Sequence, residues 1–391
     1  MLQTDRLPNH LAMMDPIVQK LVALIDEHGW QRQFQQAIDC AASRYVHSVR
    51  HIRSLTDYLR YIDEMVRWAP REENDSRLVH DKLVEFHFFL DQPPLLDLQS
   101  AIVPAEGAQV LSPLSLWMKE YAVAWGRYLD THDSAIHVQS FRDNPAFNWE
   151  DYMAPPSGYQ TFNQFFARHV KPGKRPIAAI ADDDVIASPS DASFMGAWPI
   201  DLNSTIVDDD GHVELKGLRW SIRHLLDESA FADRFAGGVF TRSALRTFDY
   251  HRWHAPVAGT VIEARIIQGQ VYLDVNTEQA LIEGEERTVL RAVEGTGCQF
   301  VQTRGLVVLD SPVGLVACLP VGMAQVSSVV ITAELGTDLR KGEEMGYFQF
   351  GGSDFVMLFE RASNVELRCE LGQHYRQGSL IGRAHKAISK H

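Results

Sequence analysis

Hydrophobic patterning changes character once along this chain, near Gly158, and that change sets the order of its architecture. Ahead of it, apolar residues recur every three or four positions, the period of a helix. Beyond it, they gather in short β-branched runs punctuated by glycine and proline. In PIVQKLVALIDEHGW, Ile17, Leu21, Leu24 and Ile25 share one helical face, with Asp15 at the N-cap and Pro16 at the first helical position. SLTDYLRYIDEMVRWA repeats the pattern through Leu55, Leu59, Ile62 and Val66, and PLSLWMKEYAVAWGRYLDT supplies a third, aromatic-rich stretch. Periodicity fades from His132 to Gly158, where Pro145, Pro155 and Pro156 fall, which predicts a linker closing a helical domain over 1–150.

One short helix, TFNQFFARHV, opens the remainder. The runs VIASPSD, GGVFTRSAL, GTVIEARII, GQVYLDV, RTVLRAV, GLVVLDS, GLVACLPVG, SSVVITA and FVMLFE then follow at roughly even spacing and predict an antiparallel sandwich or barrel over 151–391. The expected class is α+β, helices first and a sheet core second.

Charge narrows the function classes. Lys plus Arg total 37 against 51 Asp plus Glu, a net of −14, and such a surface repels phosphate backbones and anionic lipid. No run of about 18 apolar residues exists to span a bilayer, and no basic stretch followed by an apolar one marks a secretory leader. Cys40, Cys298, Cys318 and Cys369 are scattered without a CxxC pair, so neither a disulfide framework nor a zinc ribbon is expected. Together these predict a cytoplasmic protein without nucleic-acid partners or integral membrane association.

Three clusters carry chemistry. SPSDA, Ser188 to Ala192, reads by itself as a turn in which Pro189 sets φ and Asp191 bonds the backbone. DYHRWH, Asp249 to His254, sets His251 and His254 three apart; on an extended strand they point oppositely, which argues against one metal held by both. FGGSDF, Phe350 to Phe355, reads first as a hairpin turn, yet two glycines before a serine also let a hydroxyl reach the preceding carbonyl. Asp191, His254 and Ser353 together form the inventory of a triad, in which a carboxylate orients an imidazole that takes a hydroxyl proton. A serine hydrolase would use the same inventory, although no GxSxG surrounds Ser353. A non-catalytic β-sandwich binding module is the third class.

The landmarks YQTFNQFFARHVKPGKRPI, SPSDA, DYHRWHAPVAGTV and KGEEMGYFQFGGSDFVMLFE, in that order, resemble the phosphatidylserine decarboxylase family from about Tyr159 to Glu360. The helical N-terminal region resembles the leading domain of soluble tryptophan decarboxylases in that superfamily. The resemblance implies that Asp191 orients His254, that His254 deprotonates Ser353, and that Ser353 attacks the Gly352 carbonyl. Fragments 1–352 and 353–391 result, and Ser353 becomes a pyruvoyl group that serves in place of pyridoxal phosphate. It also implies that His251 contacts substrate during decarboxylation; no metal is expected, since no further His or Cys cluster offers a third ligand beside the two histidines. Two positions depart from the family's common pattern: Ala192 follows the aspartate where glycine is usual, and Asp354 follows the serine where threonine is usual.

With helical sequence where family members usually carry an apolar anchor, the expected substrate is a free aromatic L-amino acid such as L-tryptophan, with phosphatidylserine the alternative. The expected partners are that small molecule and the two cleavage fragments themselves, as a heterodimer that further pairing would extend to a homo-oligomer.

Overall fold

A computed structural model describes residues 13–73, 77–103, 110–208, 211–212, 214–215, 218–271, 273–282, 284–292, 300–322, 328–350 and 353–385. The helical region contains α1 (Pro16–His28), α2 (Gln31–Ser43), α3 (Leu55–Met65), α4 (Leu78–Leu90), α5 (Pro93–Leu96), α6 (Pro113–Leu129) and α7 (Val138–Arg142). The caps explain the boundaries. The Asp15 carboxylate accepts from Ile17 N, Pro16 opens α1, and Gly29 closes it in the left-handed region at φ 68°. Ser54 and Asp57 form a reciprocal capping box on α3.

After α8 (Phe162–Phe166), the chain enters its sheets. The strands are β1 (Val185–Ala187), β2 (Ala192–Pro199), β3 (Val239–Leu245), β4 (Arg252–His254), β5 (Gly259–Ile267), β6 (Val275–Ile282), β7 (Glu285–Ala292) and β8 (Arg304–Ser311). They continue with β9 (Gly314–Gly322), β10 (Val329–Ile331), β11 (Asp338–Leu339), β12 (Glu344–Phe348), β13 (Ser353–Phe359), β14 (Val365–Leu367), β15 (His374–Tyr375) and β16 (Leu380–Ala384). Eight of them form one antiparallel sheet in the order β11-β5-β8-β9-β13-β3-β2-β15. Beside it lie two three-stranded sheets, β10-β12-β4 and β1-β16-β14, the hairpin β6-β7, and two short pairs, Val207–Asp208 with Gly211–His212 and Glu214–Leu215 with Leu218–Arg219. The fold is α+β.

The large sheet is covered on both faces. Along β13, Phe355, Met357 and Phe359 join one apolar cluster while Val356 and Leu358 join the other, as strand alternation requires. Double coverage explains why FVMLFE and GLVVLDS are continuous apolar runs instead of alternating ones.

The first cluster also takes in α1 to α4 and α6, so a single core runs from Ile17 to Ala384 across both halves of the chain. The stretch His132–Gly158, expected as a linker, carries α7 and three short 3-10 turns, and it buries Phe141 and Phe147 in that core. GQVYLDV, expected as a strand, contributes only Val275 to one. Its Gly269 N–H is used by Thr303 Oγ1 and its Gln270 N–H by Val301 O, so the chain crosses close over 301–303 before β6 begins.

Candidate active site

β13 runs between β3 and β9 at the centre of the large sheet. Its first residue, Ser353, pairs with Leu245 on one side and Gly322 on the other. Gly352, expected to carry the cleaved carbonyl, lies outside the described residues, and Ser353 is described by its backbone.

DYHRWH leads into β4, which pairs with β12. Pairing is close because Gly346 has no side chain: a Cβ there would meet Val330 O at 2.2 Å and the Trp253 ring at 2.3 Å. His254 N–H donates to Pro189 O at 2.8 Å, tying β4 to the SPSDA turn. The His254 ring has both nitrogens engaged. Nδ1 lies 2.9 Å from Gly342 O and Nε2 lies 3.1 Å from Tyr250 Oη. A carbonyl only accepts, so Nδ1 carries the hydrogen and Nε2 presents a lone pair to the Tyr250 hydroxyl. Burial pushes His254 down to about 4, chiefly because a charged ring would lose its water, so the ring is neutral at physiological pH. The same cause raises the Tyr250 phenol well above its usual range, so it stays protonated. Gly342 takes φ +85°, and a Cβ there would strike Ile177 at 2.5 Å, so the accepting carbonyl sits where only glycine fits without strain.

His251 occupies a different environment, as its place one strand step outside β4 requires. It is fully buried and stacks on Phe166 with ring centroids 3.8 Å apart. Its Nε2 faces Thr247 O at 3.2 Å, while Nδ1 is buried without a hydrogen-bond partner. Burial, then the nearby Arg168 guanidinium, pushes it down to about 3. Thr247 lies two residues beyond Leu245, the backbone partner of Ser353, so this imidazole belongs to the chain end of β3.

Asp191 does not meet His254. The two share no hydrogen bond, and the Asp191 charge acts on His254 only through space, after larger contributions from burial, the Gly342 carbonyl and Arg252. Its carboxylate instead accepts from Arg175 Nε at 2.8 and 3.1 Å, from Arg175 Nη2 at 2.6 Å and from Gln377 N at 2.7 Å. The expected hydrogen-bonded chain Asp191–His254–Ser353 is therefore replaced at its first link. Asp191 braces the SPSDA turn against the KPGKRPI segment and the C-terminal strands, and Gly342 O orients His254. Arg175, Tyr250 and Gly342 were not singled out from sequence. Only Tyr250, four residues before His254 in DYHRWH, carried a positional signal.

The two departures from the family pattern find local explanations. Ala192 lies in β2 outside the positive-φ positions, so its Cβ is borne without strain. Asp354 forms a buried ion pair with Arg242, Nε to Oδ2 2.8 Å, which supplies a counter-charge. Among the described residues no group of three His, Cys, Asp or Glu side chains gathers for a metal.

A protein-family model described as phosphatidylserine decarboxylase matches residues 162–383. The chain belongs to the phosphatidylserine decarboxylase family. Membership makes it a decarboxylase, a carboxy-lyase. Decarboxylase iboD of Amanita muscaria is 31% identical over 301 residues, 69% of this chain and 84% of that protein. Phosphatidylserine decarboxylase proenzyme 3 of Schizosaccharomyces pombe is 34% identical over 59% of this chain, though the match spans only 22% of that longer protein. The phosphatidylserine decarboxylase proenzyme of Clostridium novyi is 30% identical over 63% of this chain and 77% of its own length. The family match begins inside α8, so α1 to α7 lie ahead of it. Among the described residues no helix is long and apolar enough to cross a membrane.

Proposed function

We propose that this family member cuts itself between Gly352 and Ser353, keeps the pyruvoyl group that Ser353 becomes, and decarboxylates a free L-amino acid, aromatic ones such as tryptophan foremost. The observation that carries the reading is the state of His254: a buried, neutral imidazole whose tautomer is fixed at Nδ1 by Gly342 O, leaving Nε2 as its basic atom. In the cleavage, Ser353 Oγ bonds to the Gly352 carbonyl carbon and its proton passes to Nε2 as the Tyr250 hydroxyl gives up that place. The Gly352–Ser353 C–N bond then breaks and leaves an ester. Loss of the Ser353 α-proton and of the Gly352 carboxylate follows, and hydrolysis releases ammonia.

What supports a pyruvoyl site here is an acceptor for the N–H of a substrate amine, since the pyruvoyl ketone has no hydrogen to donate. His251 offers a buried acceptor, Nδ1, that no protein group satisfies, beside the strand end that pairs with Ser353. When formed, the group supplies an electron sink for the electrons of the breaking bond to CO2. His251, neutral and pressed on Phe166, holds its lone pair toward a substrate donor. Phosphatidylserine is the second reading, favoured by the similarity to the phosphatidylserine decarboxylase proenzymes of Schizosaccharomyces pombe and Clostridium novyi.

One experiment separates the readings. Intact mass of purified protein is expected to show chains of 352 and 39 residues (391 − 352), the smaller blocked to Edman degradation. Processed protein is then incubated, without pyridoxal phosphate, with tryptophan, tyrosine, phenylalanine, methionine and a short-chain phosphatidylserine, and the amine products are weighed. An uncleaved yet fully active preparation overturns the mechanism. Turnover of the lipid alone overturns the substrate assignment and leaves the cleavage standing.

A further inference from the structure

We infer that Asn163 is a positioning residue for self-cleavage, through which the helical region holds Phe350 and so places the Gly352–Ser353 bond for attack. The inference rests on the self-cleavage reading above. Asn163 lies in α8 and is 4% exposed. Its Nδ2 donates to Asp130 Oδ1 at 2.9 Å and to Gly126 O at 3.3 Å, both at the C-terminal end of α6. Two acceptors at Nδ2 leave one orientation for the amide, with Oδ1 turned to accept the Phe350 N–H at 3.2 Å. Phe350 is itself 3% exposed and boxed by Trp125 from α6 and by Phe162 and Phe166 from α8.

The segment leading into the reacting serine is thus held at both ends. Phe350 is pinned by Asn163 and three rings, and Ser353 is pinned by the pairing of β13 with β3 and β9. Three residue steps span at most about 10 Å, and the two between are glycines, which restrain their own backbone least. Shifting either anchor shifts the bond between them through the chain itself, and Phe350 is the anchor that Asn163 holds. Attack requires reacting atoms about 3–3.5 Å apart, and small misplacements cost large factors in rate. Asn163 touches no reacting atom. It acts through Phe350, and it makes α6, which precedes the family match, part of the processing apparatus.

The test follows the cleaved fraction of freshly made full-length chain against time by intact mass. The wild type is compared with Asn163→Ala, Asp130→Ala and Asp130→Asn, and urea midpoints are taken for each change in a Ser353→Ala background. Losing one hydrogen bond of this kind is expected to slow cleavage about tenfold in Asn163→Ala. Asp130 is exposed, so Asp130→Ala leaves the fold intact while removing the acceptor that orients the amide. It is expected to slow cleavage several-fold, and Asp130→Asn, which keeps an acceptor oxygen, to restore the wild-type rate. That rescue is what a merely structural role would not produce. Wild-type protein that never cleaves refutes the self-cleavage reading itself. Wild type that cleaves while Asn163→Ala keeps pace overturns only the inference. Should Asn163→Ala fail to fold, equal rates for Asp130→Ala and Asp130→Asn overturn it.

Discussion

Replacing Asp191 by asparagine tests whether this residue braces the site or takes part in its chemistry. The Asp191 and Arg175 side chains are 5% and 4% exposed, and the carboxylate accepts three close contacts from the guanidinium and one from Gln377 N–H. Asparagine keeps the shape and one acceptor oxygen, which Gln377 N–H can use. It removes the charge opposite Arg175, whose remaining partners are Asp151 Oδ2 at 3.1 Å and Lys174 O at 3.0 Å. Unpairing one member of a buried pair costs about 3–5 kcal/mol, and the surviving contact to Asp151 puts the expectation at the lower end, about 3 kcal/mol. The assay is urea unfolding in a Ser353→Ala background, so that cleavage does not complicate the transition. Arg175→Met alone should cost a similar amount, because it strands the carboxylate. The double variant should cost less than the sum, with a coupling energy of about 2 kcal/mol. If Asp191→Asn leaves stability within about 0.5 kcal/mol of its parent yet abolishes cleavage when Ser353 is present, the bracing argument is refuted and Asp191 acts on the reaction directly.

Three other outcomes are expected. His254→Ala should block cleavage, whereas His251→Ala should still cleave and then decarboxylate poorly; intact mass and an amine assay read both, and the reverse pattern would exchange their roles. Burial holds His251 at about 3 and His254 at about 4 against 6.5 for a free imidazole, so the folded state resists two protons that the unfolded state accepts. Their contribution is complete above pH 6.5 and is lost as pH falls toward 4, approaching about 3 kcal/mol per pH unit from the pair, and a flat urea midpoint from pH 6.5 to 4.5 would contradict it. Gly346→Ala should cost about 3 kcal/mol or more by forcing β12 away from Val330 and Trp253, measurable as a lowered urea midpoint in the same Ser353→Ala background.

Much of this fold was legible because local signals and tertiary demands agree. Asp15 and Pro16 read as a helix start in the sequence and form one in the structure. The continuous apolar runs became central strands because both sheet faces are buried. What escaped notice lacked local pattern. ASFMGAWP gave no strand signal, since Gly196, at φ +145°, interrupts it where the register with β3 shifts and strand β2 bulges. The stretch from His132 to Gly158 loses helical period because it turns repeatedly, and its burial depends on α8 rings packing on Phe141 and Phe147, contacts that periodicity does not encode.

The site shows the same division more sharply. Composition and order brought forward two histidines, an aspartate and a serine, but a triad is a statement about contact, and Asp191 makes its contacts elsewhere. Its partners lie 16 residues upstream at Arg175 and 186 downstream at Gln377, distances at which spacing carries no information. His254, conversely, is oriented by the backbone carbonyl of Gly342, a group every residue possesses and which therefore leaves no mark in sequence. A carbonyl orients the imidazole as an aspartate would while adding no full negative charge beside it, so it raises the basicity of Nε2 less. That fits a ring held at about 4 better than one paired with a carboxylate.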